Sequence, residues 1–211
     1  MQINLAVFFG CCSVEHEVSI ISAVQAMHSI NREKYNVIPV YVTKDGETVT
    51  GDVLFDIEEY KNLPALMKKV KKVTFTRDNA RVVMNFLEGV FKKKPVQIDV
   101  AFPIVHGTNC EDGTIEGFFE FLRLPYVGCD IISSAVGMDK AVFKDVLMAA
   151  GLPVLPCVRF YSKEYFHKKD EIIAKIEKEI GLPCIVKPAN LGSSVGISKA
   201  VTKEELLSAI D

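Results

Sequence analysis

The order of apolar runs and polar breaks predicts that the chain begins with a strand, a turn, a helix and a second strand. Residues 3–9 form a short apolar run that ends at Gly10, and apolar residues then recur at helical spacing between 20 and 30. A second apolar run covers 37–42. This order is typical of a βαβ unit with parallel strands. Ligands in open α/β sheets bind beyond the carboxyl ends of the strands, so the turn at 10–18 is a predicted ligand-binding loop.

A second polar loop follows a later strand. Residues 98–105 form a buried-type strand that runs into 106–113, a loop that contains a histidine and two acidic residues. Because the carboxyl ends of parallel strands lie at one edge of a sheet, this loop and 10–18 predict a common pocket. The alternative is two unrelated solvated turns, in which Glu15 and Glu17 only complement the positive end of the following helix.

The rest of the chain predicts a hairpin, further helices and an extended segment. Residues 73–84 are typical of a hairpin, 131–150 of one continuous helix, and 154–161 of extended chain. Residues 164–180 carry isoleucines on one helical face and charged residues on the other. A capping box at 202–205 begins a last helix, and the chain stops after about two turns of it. We therefore expect the chain to be a fragment of a longer protein.

Residues 183–197 predict a strand, a Gly/Ser loop and another strand. The apolar run before Lys187 resembles a buried strand, and a lysine there is costly unless an anion meets it. Gly192 and Gly196 bracket two serines, a composition that turns N–H groups and hydroxyls toward phosphate oxygens. The segment predicts a mobile flap over a nucleoside triphosphate. An ordinary hairpin, with a lysine that extends to water, is the alternative.

Composition and charge favour a globular protein without a charged partner. The chain has 211 residues, 49% of them hydrophobic, which allows one large or two small domains. The net charge of −2 gives no reason to expect a nucleic acid or an acidic membrane as partner, and no apolar run reaches about 18 residues. The chain begins with a strand-like run, so no signal peptide is predicted. The 6 cysteines lack C-x-x-C spacing, which argues against a zinc or redox motif and favours a reduced, cytoplasmic protein.

Four sequence patches together carry a family resemblance. They are FGxxSxEHxVS at 9–19, HGxxxEDG at 106–113, SAxxMDK at 134–140, and VKP followed by GSSVG at 186–196. With these patches in this order, the chain resembles the D-alanine–D-alanine ligases of the ATP-grasp superfamily. The resemblance spans the whole chain and roughly the first three-fifths of a typical family member.

The resemblance implies both a fold and a reaction. The implied fold is α/β, with an open, mostly parallel, Rossmann-like pre-ATP-grasp domain over 1–130. The small α+β first subdomain of an ATP-grasp fold would follow over 131–211, truncated at its C-terminal end. The implied reaction is the ATP-dependent ligation of two D-alanines through an acyl phosphate, for peptidoglycan and cell-wall synthesis. A cytoplasmic homodimer built on the N-terminal domain is implied, with small-molecule substrates and no nucleic-acid or membrane partner.

The resemblance assigns the first amino acid to the early loops. Glu15 would bind the ammonium group of the first D-alanine, with Val18 near its methyl group and His106 in the same subsite. Ser193 would hydrogen-bond Glu15 when the flap closes, so Glu15 and Ser193 are the implied catalytic pair.

The nucleotide is assigned to later residues. Lys140, Lys187, Ser193 and Ser194 would contact ATP. No metal ligand is expected in this chain, because the Mg2+-binding carboxylates, an arginine that stabilises developing charge and the second amino-acid subsite lie further along in the family. We therefore expect the 211-residue chain alone to be inactive.

Three residues depart from the family pattern. Cys11 and Cys110 stand where glycine is usual, and Glu116 stands where glutamine is common. Glycine adopts positive φ at no cost and cysteine does not, so we expect backbone strain at both cysteines if the turns keep their usual path.

Other functions fit the same residues. A D-alanine–D-serine ligase would differ in residues beyond this chain. A non-catalytic module that retains the fold is a different class, and another ATP-grasp carboxylate–amine ligase is a weaker alternative because it would not require the Glu15-His16 patch.

Overall fold

The computed structural model describes residues 2–87 and 94–211, and the chain divides into two compact units. The first unit comprises 1–135 and the second comprises 136–211. None of the helices in the described ranges is long and apolar enough to cross a membrane. The functional domains assigned to 1–130 and 131–211 stay a prediction.

A seven-stranded sheet, counted over the described residues, forms the centre of the first unit. Its strands are β1 (Ile3–Gly10), β2 (Tyr35–Val42), β3 (Thr48–Thr50), β4 (Lys71–Asp78), β5 (Arg81–Phe86), β6 (Val96–Ile98) and β7 (Val100–Ile104). Their spatial order is β6-β5-β4-β3-β2-β1-β7. β1 runs parallel to β2 and to β7, and the strands from β2 outward to β6 pair antiparallel. The predicted α/β class is confirmed, with the parallel pairing at β2, β1 and β7.

Helices and short 3-10 segments cover this sheet. The helices are α1 (His16–Ser29), α2 (Leu63–Met67) and α3 (Thr114–Leu122), and the 3-10 segments are Asp52–Phe55 and Ile57–Asn62. A further helix, α4 (Ile131–Met138), has no buried residues and spans the boundary between the two units in the chain. β1 is buried on both faces, which explains its continuous apolar sequence. Leu5, Val7 and Phe9 pack in the core that contains α1 residues. Phe8 points the other way, 4.9 Å from the ring of Phe119 on α3.

The second unit is smaller and has its own core. It contains α5 (Lys140–Ala149), α6 (Ser162–Glu179), β8 (Cys184–Val186), β9 (Ser198–Ala200) and α7 (Lys203–Ile210). β8 and β9 pair antiparallel, and the isoleucine face of α6 packs against them and Leu206. The capping box is confirmed, because Thr202 Oγ1 accepts from the backbone N of Glu205 at 3.2 Å while the Glu205 carboxylate accepts from the N of Thr202.

Two sequence-based boundaries are wrong and two are confirmed. The helix expected over 131–150 is divided at Asp139, whose Oδ1 accepts from the backbone N of Ala141 and Val142 at 2.9 and 3.0 Å. Aspartate favours an N-cap over a helix interior, so α5 begins there. The strand expected over 98–105 is present as β7 but is shorter, because Ile98 belongs to β6 and Asp99 separates the two strands. The hairpin near 73–84 and the helix near 164–180 are confirmed as β4–β5 and α6.

Gly10 at the end of β1 generates a test of the fold. Its φ is +91°, and a Cβ there would lie 2.4 Å from the carbonyl oxygen of Val42. Gly46 has a φ of +83° but open space around it. Left-handed backbone alone costs about 1–2 kcal/mol, and overpacking adds about 1–3 kcal/mol.

We therefore expect Gly10→Ala to lower the free energy of unfolding by about 3 kcal/mol and Gly46→Ala by about 1 kcal/mol, measured by urea denaturation. Equal losses in the two variants would contradict the packing at Gly10.

Candidate functional site

A buried serine holds the carboxyl ends of β1 and β7 together. Ser19, in the first turn of α1, is fully buried. Its Oγ accepts from the backbone N of Gly10 at 2.8 Å and donates to the carbonyl oxygen of Ile104 at 2.6 Å. The loops 10–18 and 106–113 therefore start side by side at one edge of the sheet.

His16 fixes the path of the first loop. Its Nδ1 lies 2.6 Å from the carbonyl oxygen of Cys11 and its Nε2 lies 2.9 Å from the Tyr41 hydroxyl. A carbonyl oxygen can only accept, so Nδ1 donates and Nε2 accepts from Tyr41. Burial raises the pKa of Tyr41 to about 12, so the hydroxyl keeps its proton. These bonds hold the loop while Cys11 occupies the left-handed region with a φ of 69°.

The two loops approach each other closely at Gly107. Its φ is +80°, and a Cβ there would lie 2.5 Å from Ser13 Oγ and 2.7 Å from Glu15 Oε2. A side chain at Gly107 would therefore displace Glu15. The Asn109 side-chain amide also donates to the carbonyl oxygen of Cys12 at 3.0 Å. The predicted convergence of the two loops is confirmed.

The half-buried Glu15 carboxylate lies against the second loop. Glu15 is the N-cap residue of α1, yet its side chain makes no capping hydrogen bond there. Helix capping therefore does not account for its position. Glu17, by contrast, is exposed and pairs with Lys44 at 2.6 Å, and this hydrogen bond lowers the pKa of Glu17.

The other two residues assigned to the amino-acid subsite, His106 and Val18, lie beside or on α1. His106 is half-buried, with Nε2 3.2 Å from Ser22 Oγ of α1. Val18 lies in the first turn of α1 and is 52% exposed, so its side chain is open to a ligand.

Acidic residues of the second loop stabilise that loop. Glu111 Oε2 accepts from the backbone N of Gly107 at 2.8 Å. Asp112 accepts from the backbone N of Asn109 at 2.7 Å and of Thr114 at 3.1 Å. Burial opposes ionisation of Asp112, but the hydrogen bonds from Thr114 and Asn109 outweigh it and lower its pKa.

Glu116 on α3, unlike these loop residues, is buried, with a raised pKa and a carboxylate oxygen that no described residue satisfies. It is only 6% exposed, and its Oε2 has no hydrogen-bond partner among the described residues. Burial, together with the negative charges of Asp112 and Glu111, raises its pKa. The charged form is therefore disfavoured in the folded protein.

In the second unit, Lys140 ties α5 to the Gly/Ser loop. Its backbone N donates to the carbonyl oxygen of Ala189 at 3.0 Å, and its ammonium group donates to the carbonyl oxygens of Ala189 and Leu191. A hydrogen bond with Asn190 contributes to the lowered pKa of Asp139, after the larger effect of the bond from Val142 and opposing burial. Lys140 is therefore placed at the base of the loop.

The Gly/Ser loop folds back on itself in successive turns. Ser193 and Ser194 are exposed and adopt left-handed φ values of 45° and 62°. Gly196, with a φ of +70°, lies so close to Pro188 that a Cβ would approach its Cγ to 2.8 Å. The loop thus carries two exposed serines on a glycine-dependent backbone.

The run before Lys187 is not a fully buried strand, and the exposure of Lys187 agrees with the alternative in which its side chain extends to water. Lys187 directly follows β8 and is exposed, and Ile185 within β8 is 56% exposed. The reason is that β8 pairs with β9 in a two-stranded sheet, counted over the described residues, whose core face is the one that carries Cys184. The ammonium group can therefore reach an anion without the cost of burial.

The expectation of backbone strain at two cysteines is confirmed for Cys11 but not for Cys110. Cys11 does adopt positive φ, but beside Cys110 the left-handed residue is Asn109, with a φ of 63°. Because Asn109 takes the positive φ of that turn, and asparagine tolerates it better than most residues, Cys110 carries no such strain.

Two site-forming residues, Ser19 and Gly107, received no role from the sequence, although both lie inside the four patches that carry the family resemblance. The histidine of the 10–18 turn was a candidate for substrate contact, but His16 is buried and bonded to Cys11 and Tyr41. One feature of the sequence could have indicated the role of Ser19. It is a polar residue on the apolar face of α1, where it lies beside Ile20 in the same buried stripe.

Comparison with known proteins identifies the class. The chain matches the model of the D-ala D-ala ligase N-terminus over 4–129 and that of the D-ala D-ala ligase C-terminus over 146–211. The D-alanine–D-alanine ligase of Thermosipho melanesiensis is 44% identical over 210 residues, which are 99% of this chain and 55% of that protein. That of Caldicellulosiruptor bescii is 42% identical over 99% of this chain and 56% of the relative.

Solved structures agree with the sequence matches. The VanG D-Ala:D-Ser ligase of Enterococcus faecalis has a TM-score of 0.81 at 32% identity, over 100% of this chain and 59% of that one. The D-alanine–D-alanine ligase of Coxiella burnetii has a TM-score of 0.84 at 28% identity, over 99% and 59%.

These neighbours define the class as ligases with the ATP-grasp fold. The chain spans little more than half the length of the curated relatives that it matches. It belongs to the D-alanine–D-alanine ligase family.

The buried Glu116 generates a pH-dependent test. Its folded-state pKa is raised above the unfolded value of about 4.3, so the folded state binds the proton more tightly. Stability is therefore lost as pH rises from about 4.3 through the raised pKa. We expect Glu116→Gln to be more stable than the native chain by about 1 kcal/mol at pH 7.5, with the difference shrinking toward pH 4.

The measurement is urea denaturation across this pH range, with the exposed Glu33→Gln as the matched control. A difference between native chain and Glu116→Gln that does not change with pH would contradict the raised pKa.

Proposed function

We propose that the loops 10–18 and 106–113 bind the first D-alanine of an ATP-dependent ligation of two D-alanines. The observation that carries this proposal is the close approach of Gly107 to Glu15, which directs a half-buried carboxylate toward the second loop. Membership of the D-alanine–D-alanine ligase family supports it further.

The residue types suit an amino acid that must leave its carboxylate available. Glu15 binds the ammonium group through a charge-assisted hydrogen bond, which is among the stronger kinds of hydrogen bond. His106 borders the same subsite, and Val18 contacts the methyl group. The ligand's own carboxylate then accepts a phosphoryl group to form an acyl phosphate, which the amine of the second D-alanine attacks.

The second unit suits the phosphates of ATP, which supplies the phosphoryl group. Ser193 and Ser194 are exposed and left-handed, and Lys187 is exposed at the end of β8. Lys140 orders the base of the loop and has a third N–H beyond its two carbonyl contacts. Phosphoryl transfer requires cations and donors around the phosphates more than covalent help. We also propose a catalytic role for Ser193, as the family resemblance implies.

The wider role is part of the same proposal. A cytoplasmic homodimer that makes D-alanyl-D-alanine for peptidoglycan follows from the family, with Mg2+ as its metal. Among residues 2–87 and 94–211, no group of three or more His, Cys, Asp or Glu side chains is arranged to hold a metal ion. The residues described do not fit Mg2+, and we derive no step through it.

A second candidate is the ligation of D-alanine to D-serine. It is favoured by the VanG D-Ala:D-Ser ligase among the structural neighbours, at 32% identity. Product analysis of the full-length protein with D-alanine and D-serine in competition distinguishes the two. A mixed peptide as the main product would support the second candidate.

Glu15 provides the direct test of the amino-acid subsite. We expect Glu15→Gln to weaken D-alanine binding about 10- to 100-fold, because a hydrogen bond to a charged group contributes about 1.5–3 kcal/mol. Calorimetric titration measures the change. Glu17→Gln is the control, since Glu17 pairs with Lys44, and unchanged binding in Glu15→Gln would contradict the proposal.

We further propose that the 211-residue chain does not complete ligation alone, because it spans 55% of a relative named as the ligase. The expected result is no ADP release above background with ATP, Mg2+ and D-alanine in a coupled assay. Turnover that disappears on Glu15→Gln would contradict this expectation.

A further inference from the structure

Two free cysteines meet where the candidate loops converge. Cys11 belongs to the loop after β1 and Cys110 to the loop after β7, and both are free thiols. They lie in the same core cluster, with exposures of 6% and 0%. The two thiols lie close enough to affect each other, because Cys110 lowers the pKa of Cys11 while Cys11 raises the pKa of Cys110.

Hydrogen bonds beside these cysteines fix the positions of the two loops. Next to Cys11, the carbonyl oxygen of Cys12 accepts from the side-chain amide of Asn109, the neighbour of Cys110, at 3.0 Å. On the other side, the His16 ring holds the Cys11 carbonyl at 2.6 Å. The Asn109 bond therefore joins the two loops beside the cysteines, and the His16 bond fixes the backbone of Cys11.

We propose that Cys11 and Cys110 form a reversible disulfide, a modification site that links the two loops when the protein meets a peroxide. Cys11 is the attacking thiol because it retains slight exposure, whereas Cys110 has none. The hydrogen bond from Cys110 also lowers the pKa of Cys11 despite burial, which favours the reactive thiolate there.

The chemistry balances with hydrogen peroxide as the two-electron oxidant. Cys11 sulfur attacks one peroxide oxygen, the O–O bond breaks, and the products are a sulfenic acid and one water. The Cys110 thiol then attacks the sulfenic sulfur, the S–O bond breaks, and a second water leaves as the S–S bond forms. Each thiol loses one hydrogen, and a dithiol reductant restores both.

The link would act on the site already described. Glu15 and His106 lie on the two loops that it joins, and Gly107 already contacts the Glu15 side chain, so drawing the loops together leaves that carboxylate little room. We expect the oxidised protein to bind D-alanine at least about tenfold more weakly than the reduced protein. This consequence rests on the proposed function, whereas the disulfide itself does not.

The test maps the linkage by mass spectrometry after peroxide treatment of the reduced chain. Trypsin separates Cys110 from the N-terminal peptide that holds both Cys11 and Cys12, so we expect one cross-linked peptide pair, two hydrogen atoms lighter than the free peptides and released by a dithiol. The pair should persist in Cys12→Ser and disappear in Cys11→Gly, a variant that suits the φ of 69°. Cys110→Ala provides a second variant that should abolish it.

Several results would overturn the proposal. One is full alkylation of Cys11 and Cys110 after peroxide treatment, while the exposed Cys12, Cys129 and Cys157 are oxidised. Another is a linkage that disappears in Cys12→Ser. If the link forms but neither redox state binds D-alanine, the disulfide stands and the proposed function fails.

Discussion

The close approach of Gly107 to Glu15 is the constraint on which the candidate site depends. A side chain of any size at Gly107 would occupy the space of the Ser13 hydroxyl and the Glu15 carboxylate, with Cβ distances of 2.5 and 2.7 Å. The loop therefore needs glycine for two independent reasons, its φ of +80° and this approach. As a consequence, a carboxylate that would ordinarily face solvent at a helix N-terminus is directed along the second loop.

The rest of the first unit maintains that approach. β1 is buried on both faces, so its position in the sheet is fixed by two cores, and Ser19 joins its carboxyl end to that of β7. His16 then sets the path between β1 and α1 through the Cys11 carbonyl. In the second unit, the same principle operates through Lys140, whose hydrogen bonds to carbonyl oxygens order the base of the Gly/Ser loop. In each unit, polar groups of the candidate loops are held by hydrogen bonds to the backbone.

Sequence periodicity predicted the elements better than their ends, and the site better in outline than in detail. The continuous apolar sequence of β1 identified it, because burial on both faces leaves no alternation to misread. Sequence periodicity missed the break at Asp139, because a single N-cap residue does not change the helical spacing of the apolar residues around it. The sequence left open whether Lys187 ends a buried strand or extends to water, because a three-residue apolar run does not reveal whether one face or both are covered. The convergence of the two loops followed from parallel topology, whereas the contact between Cys11 and Cys110 joins residues far apart in sequence, and only the folded arrangement reveals it.

The most direct measurement is a crystal structure of the chain bound to D-alanine. The account predicts that the ligand's ammonium group lies about 3 Å from the Glu15 carboxylate, with loops 10–18 and 106–113 on either side of it. A ligand bound elsewhere, or loops separated so that Gly107 no longer contacts the Glu15 side chain, would contradict the account.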